Sequence, residues 1–144
     1  MDIIYNPSTY TFQIALPETG EIVAEAVARP DAEMAYLRVV APELARKTDH
    51  CAGKFPALTD RARRAAFIVL AGHVAAGRGI VALNGRMHRT TVEVARVQGS
   101  QPEPYSITEA RGVLICNCPD FADAGAPVVE GTRYCKHVLA YLLA

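Results

Sequence analysis

The sequence carries no net charge: fifteen basic residues offset fifteen acidic ones over 144 residues. Nothing global therefore draws the chain to nucleic acid or to a membrane, and any such attraction has to be local. It also has no long hydrophobic run. The longest apolar stretch, Ala65 to Ala76, is interrupted by Gly72 and His73. It falls well short of the about 20 residues that a membrane-spanning helix needs and reads as a core helix. The start, Met1-Asp2-Ile3-Ile4-Tyr5-Asn6-Pro7, lacks the basic opening and apolar core of a secretory signal, so a cytoplasmic protein without a membrane partner is expected. There is no internal repeat and no low-complexity tract. Cysteine is scarce, with four in the chain, and in a reducing compartment these are not expected to form stable disulfides.

What is present, 51% hydrophobic and 21% charged residues, is close to the globular average and excludes disorder, collagen-like repeats and coiled-coil rods. Apolar residues alternate at Tyr10, Phe12, Ile14 and Leu16. Turn chemistry at Pro17 to Gly20 and a β-branched stretch from Ile22 to Val27 complete an N-terminal hairpin. Asp31 can cap a helix whose Met34, Leu37, Ala41 and Leu44 recur at helical spacing, with Pro42 kinking or dividing it. The polar stretch from Lys47 to Pro56 reads as a connection. Thr59 is suited to cap a second helix with Ala62, Ala66, Phe67, Leu70 and Val74 on its apolar face. Gly72, Gly77 and Gly79 then end the helical signal, and Ile80 to Leu83, Asn84-Gly85 and Arg86 to Val97 predict a hairpin. A second hairpin is expected from Tyr105 to Thr108 and Val113 to Cys116, around Glu109 to Gly112. Cys135 to Ala144 reads as a short final helix. The expected fold is a small mixed α+β domain with β-hairpins and two helices, ending in a zinc-bound β-β-α finger. Three regions follow: 1–58, a hairpin and helix of unknown role; 59–104, an arginine-rich helix and hairpin; and 105–144, the finger.

The C-terminal region holds the strongest chemical pattern: Cys116-x-Cys118, a sixteen-residue spacer from Pro119 to Tyr134, then Cys135-x-His137. Residues two apart on a strand project to one side, so Cys116 and Cys118 can reach a common ion. Cys135 and His137 at a helix start close the tetrahedron. Three thiolates and an imidazole suit Zn²⁺, and four protein ligands leave no vacant position, so one structural zinc is expected. Ordinary buried thiols beside a histidine are the plain alternative, and two tight pairs argue against it. His50 and Cys51 lack a second pair and read as a loop or a partly buried thiol. His73 and His88 read as packing or surface residues.

The segment from Tyr105 to Leu143, with Cys116-Asn117-Cys118-Pro119-Asp120-Phe121 and Tyr134-Cys135-Lys136-His137-Val138-Leu139-Ala140, resembles a SWIM zinc finger, whose pattern is C-x-C, a variable spacer and C-x-H on a β-β-α unit. The preceding stretch to Val97 is weakly similar to what precedes the finger in small stand-alone bacterial and phage SWIM proteins. The resemblance implies that Cys116, Cys118, Cys135 and His137 are the zinc ligands. SWIM modules accompany transposase-related proteins, chromatin-remodelling-type helicases and recombination factors, and are thought to bind DNA or other proteins. No helicase, kinase or transposase motif accompanies this one.

Charge is unevenly spread. From Thr59 to Arg96 there are seven arginines against two acids, whereas residues 1–58 carry five bases and eight acids. Such asymmetry suits a nucleic-acid-binding part joined to a protein-facing one, and arginine's planar fork suits phosphate. Arg61, Arg63, Arg64, Arg86 and Arg89 are the candidate contacts. Arginines kept only for solubility are the plain alternative, and the aromatics of a single-strand stacking platform are missing. No H-E-x-x-H helix or deaminase signature is present, and the sequence neighbours His50 and Cys51 are poorly placed for catalysis. The reading is a non-enzymatic zinc-dependent module for DNA or other nucleic acid, without a small-molecule substrate. A protein-protein adaptor for a recombination, replication or mobile-element protein is the alternative.

Overall fold

The structure, a computed structural model, describes residues 1–83, 86–123 and 125–144, and no side chain within 81–90. It is a mixed α+β fold whose chain divides into two units, 1–49 and 50–144. Among the described residues no helix is long and apolar enough to cross a membrane.

In the first unit, β1 (Asp2–Asn6), β2 (Thr11–Ala15) and β3 (Ile22–Ala26) form an antiparallel sheet in that order. The hairpin of β2 and β3 is the expected one, closed where the Gly20 N–H donates to the Leu16 carbonyl at 2.8 Å with Gly20 at φ +71°. The edge strand β1 was not foreseen. It is short and largely exposed, without clean alternation, and its anchor is a cross-strand pair: Tyr5 lies opposite Phe12 with ring centroids 5.3 Å apart.

Helix α1 (Arg29–Val40) packs Ala32 and Leu37 into the core on β2 and β3, where Ile14 and Ala24 are buried. Asp31 does not cap it. The cap position is Ala28, and Arg29-Pro30 opens the helix because proline, lacking an N–H, fits the first turn, where that donor has no partner. Asp31 sits instead in the first turn, where a negative charge complements the helix dipole. Pro42 does divide the helical signal, and α2 runs from Pro42 to Lys54. The connection expected over 47–56 is thus mostly helix. Its polar residues mask the helical pattern, and the one hydroxyl that folding buries, Thr48 Oγ1, donates to the Leu44 carbonyl one turn earlier at 2.8 Å.

In the second unit a 3-10 turn at Pro56–Leu58 leads into α3 (Thr59–Leu70). Thr59 is the first residue of the helix, and its hydroxyl donates to the Pro56 carbonyl at 2.8 Å, so it ties the turn and does not cap the helix. The helix stops earlier than its apolar run. Gly72 takes φ +72°, and the N–H groups of Gly72 and His73 return to the carbonyls of Val69 and Ile68. Val74 to Ala76 therefore belong to β4 (Val74–Leu83), not to a core helix.

Strands β4, β5 (Arg86–Val97), β6 (Tyr105–Ala110) and β7 (Val113–Cys116) form an antiparallel meander. Leu83 pairs with Arg86, and the expected Asn84-Gly85 turn between them lies outside the described residues. The β6–β7 turn is shorter than expected, only Arg111 and Gly112, both at positive φ (52° and 78°), as a tight two-residue hairpin requires. Gly77 and Gly79 do not precede the strand but lie inside it at a bulge, where Ala76 pairs with Ala95 and Gly79 with Glu93. Beyond Cys116 come a one-turn helix α4 (Pro119–Ala122), a two-residue ribbon β8 (Val128–Val129) and β9 (Thr132–Arg133), and α5 (Lys136–Leu143).

One core serves this unit. Helix α5 packs on α3 and on β5, β6 and β7. Val138, Leu139, Ala140 and Leu143 bury with Ala62, Ala65 and Ala66 of α3 and with Ala95, Val97 and Ile107 of the sheet. The small side chains of α3 let the two helices approach closely. Phe67 is half-buried and Leu70 exposed, so the buried stripe is narrower than the sequence implied.

Candidate metal centre

Cys116 ends β7 opposite Ile107 and so points to the core side of the sheet. Asn117 then clips the strand end, its Oδ1 accepting from the Ser106 N–H at 2.9 Å. Cys118 is the cap residue of α4, and Pro119 takes the first helical position, where its missing donor costs nothing. Cys135 caps α5, its Sγ accepting from the Val138 N–H at 3.4 Å, and His137 follows in the first turn. A strand end, a one-turn helix and a helix start thus converge. The Sγ atoms of Cys116, Cys118 and Cys135 and an imidazole nitrogen of His137 all lie within 4.8 Å of one another, and all four residues are buried. A tetrahedron built with 2.3 Å metal–sulfur bonds has edges of roughly 3.8 Å, so the group would draw in by about 1 Å at most to hold one ion.

His137 supplies an independent sign that this group holds a metal ion. It is 3% exposed, and among the described residues neither Nδ1 nor Nε2 has a nitrogen or oxygen hydrogen-bond partner, only the Cys118 thiol lying against the ring. An unpaired buried polar atom costs about 1–3 kcal/mol, and coordination to a metal removes that cost for one of the two. The imidazole is also held from the side: the Tyr105 ring lies 4.5 Å from it, centroid to centroid. Gly99 completes the wall, since a Cβ there would come within 2.5 Å of Tyr105 Cε2 and 3.3 Å of His137 Nε2. Neither Gly99 nor Tyr105 is marked by ligand spacing, which only reports residues that bind directly.

The thiols interact strongly. Cys116 donates to Cys118, and that hydrogen bond, followed by the one with Cys135 and by burial, pushes the Cys116 thiol up. Cys118, accepting from Cys116 and then from Cys135, is pulled well below an ordinary thiol.

The candidate arginines sit differently. Arg61 is committed: its Nε and Nη2 donate to Asp120 at 3.1 and 2.9 Å, and Nη2 also reaches the Gly125 carbonyl at 3.1 Å. It clamps α3 to both ends of the loop that follows Cys118. Arg63 and Arg64 both pair with Asp60, so their charge is partly neutralised within the helix. Arg86 and Arg89 lie on β5, with side chains outside the described residues. Of the three whose side chains are described, each already faces a carboxylate.

Two arginines from outside that set meet on the sheet. Glu93 is buried at the β4 bulge and accepts from the Arg78 backbone N–H at 3.0 Å, Arg78 Nε at 2.9 Å, Arg78 Nη2 at 2.8 Å and the Ser106 hydroxyl. Arg96 Nε lies 3.8 Å away. The Arg78 guanidinium, followed by Ser106, holds the Glu93 carboxyl at about 2, below its ordinary 4.5. A depressed carboxyl stabilises the fold above its unfolded value and loses that contribution as pH falls from about 4.5 toward 2. Glu93→Gln is expected to cost about 1–3 kcal/mol at pH 7, discounted because Arg78 is largely exposed. Urea midpoints of the two proteins should converge as pH falls toward 3, and a gap unchanged between pH 7 and 3 would contradict the pairing.

Cys51 stands apart, half-buried on α2 with its thiol pushed up by burial. Neither it nor His50 joins a metal-ligating group among the described residues. Cys51→Ser is expected to keep its full metal content, and metal loss from a folded variant would show that Cys51 is a ligand. No protein-family model, curated protein or solved structure matches the chain.

Proposed function

We propose that the chain is a non-enzymatic, zinc-dependent binding module with a SWIM-type finger, acting on nucleic acid and on DNA foremost. The buried group of three cysteines and one histidine carries the reading. Three thiolates and an imidazole are donors suited to zinc, and with Cys116, Cys118, Cys135 and His137 all engaged no position is left for a reacting water. Bound there, zinc supplies a crosslink that fixes β7, α4 and α5 against one another. The hairpin β6–β7 followed by α5 supports the β-β-α finger, as does the C-x-C and C-x-H order of the donors.

Zinc with three thiolates has a formal charge of −1 and does not attract phosphate. The nucleic-acid part of the reading therefore rests on the seven arginines against two acids between residues 59 and 96. Titration of the zinc-loaded protein with single- and double-stranded DNA and RNA at several salt concentrations tests it. Affinity is expected to fall with a log-log slope of about −0.9 per phosphate neutralised on duplex and about −0.7 on single strands. Failure to bind any nucleic acid at low salt would favour the adaptor, whose binding would depend weakly on salt and strongly on a few apolar anchors.

A further inference from the structure

We propose that the cleft where His73, Arg78 and Arg96 converge at the β4 bulge is a phosphate-binding site. It deepens the nucleic-acid reading and rests on it only for the source of the phosphate. The cleft measures about 500 Å³, with Ala75, Ala76 and Pro104 among its apolar wall residues. Its walls are tied together, because the Gln98 N–H donates to the His73 carbonyl at 2.9 Å and joins the end of β5 to the loop after α3.

Charge counting favours an anion here. Two guanidinium groups share one buried carboxylate, leaving a formal surplus of one positive charge before His73 is counted. Glu93 takes two donors of Arg78 and fixes the plane of that fork, while the side chain stays 66% exposed. Arg96 makes no hydrogen bond among the described residues; its Nε is buried and unpaired. Around a space with no carboxylate among its described wall residues, the structure thus holds one oriented guanidinium, a second that has only a 3.8 Å ion pair with Glu93, and His73. Guanidinium forks match tetrahedral oxyanions, and a pre-oriented fork loses less freedom on binding.

A second cationic cleft of about 400 Å³, lined by Asp60, Arg61, Arg64, Asp120 and Lys136, makes the contrast. There each arginine already faces a carboxylate, Arg61 on Asp120 and Arg64 on Asp60. An incoming phosphate would have to displace those acids or face them.

The test titrates inorganic pyrophosphate into the zinc-loaded full chain while the His73 imidazole resonances, assigned with His73→Gln, are followed by NMR. A saturable shift of His73 is expected. Arg96→Gln should weaken it about tenfold or more, and Arg64→Gln should leave it within about twofold. Arg78→Met with Glu93→Gln, which removes the second fork together with the buried charge, should weaken it similarly, so the result does not hang on one variant's folding. No saturable His73 shift, or an affinity in Arg96→Gln and in the Arg78→Met, Glu93→Gln double variant that equals the parent's, would overturn the site. A short DNA duplex that competes with pyrophosphate at His73 would identify backbone phosphates as the ligand. Pyrophosphate binding without such competition would support the cleft with a small phosphate ester as ligand, and count against its role in nucleic-acid binding. Salt-sensitive DNA binding that survives loss of the cleft's phosphate affinity would remove the cleft from DNA binding, and leave both the phosphate site and the broader reading standing.

Discussion

Cys118→Ser and His137→Ala are each expected to release the metal and to unfold far more than the finger. Helix α5 has eight residues, too few to persist alone in water, and its cap and first turn supply two of the four donors. In small zinc domains the apparent metal-binding free energy is about 10–16 kcal/mol, comparable to the whole stability of a domain. Here α5 is also half of a core, since Val138, Leu139, Ala140 and Leu143 are buried with α3 and the meander. Losing the metal should therefore loosen residues 50–144 as a unit, while the sheet of β1, β2 and β3, which belongs to the other compact unit, keeps its protection. Hydrogen exchange of each variant beside the metal-loaded protein reads this directly. Full protection of α3 and β5 in a metal-free variant would show that the site is not integral to the core.

Gly77→Ala is expected to be the most damaging single change away from the metal donors. A Cβ at this position would lie 1.9 Å from the Glu93 carbonyl oxygen and 2.7 Å from the Val94 carbonyl carbon. Both are backbone atoms of the paired strand and cannot rotate aside, so β4 and β5 must part at the bulge and the Arg78–Glu93 pair there must be disturbed. A loss of about 3 kcal/mol or more is expected, at the upper end of what overpacking costs. Gly53→Ala is the internal comparison: it lies in α2 with nothing within 4 Å of its added Cβ, and should gain about 0.5–1 kcal/mol. Urea unfolding of both variants separates the effects, and a Gly77→Ala protein as stable as the parent would mean that the strands do not approach this closely.

The sequence was most legible where chemistry is local. The turn at Pro17 to Gly20, the break at Pro42, the β6–β7 hairpin and the spacing of the four metal donors each depend on a few neighbouring residues, and the structure has all of them. Helix ends were less legible, since Gly72 in a left-handed conformation cuts through an apolar run that pattern alone continues to Ala76. The length of α2 was hidden for the opposite reason, because polar residues from Lys47 onward hide a helix with few buried side chains. Long-range geometry was not legible at all. That Glu93 sinks beneath Arg78, that Arg61 spends its donors on Asp120, and that Gly99 and Tyr105 wall in His137 are consequences of strand register and loop closure, with no trace in local spacing.

Metal analysis of the protein purified without chelator tests the centre most directly. One zinc per chain is expected, held by Cys116, Cys118, Cys135 and His137 and lost when any of them is replaced. A ratio near zero, or near two, would contradict it.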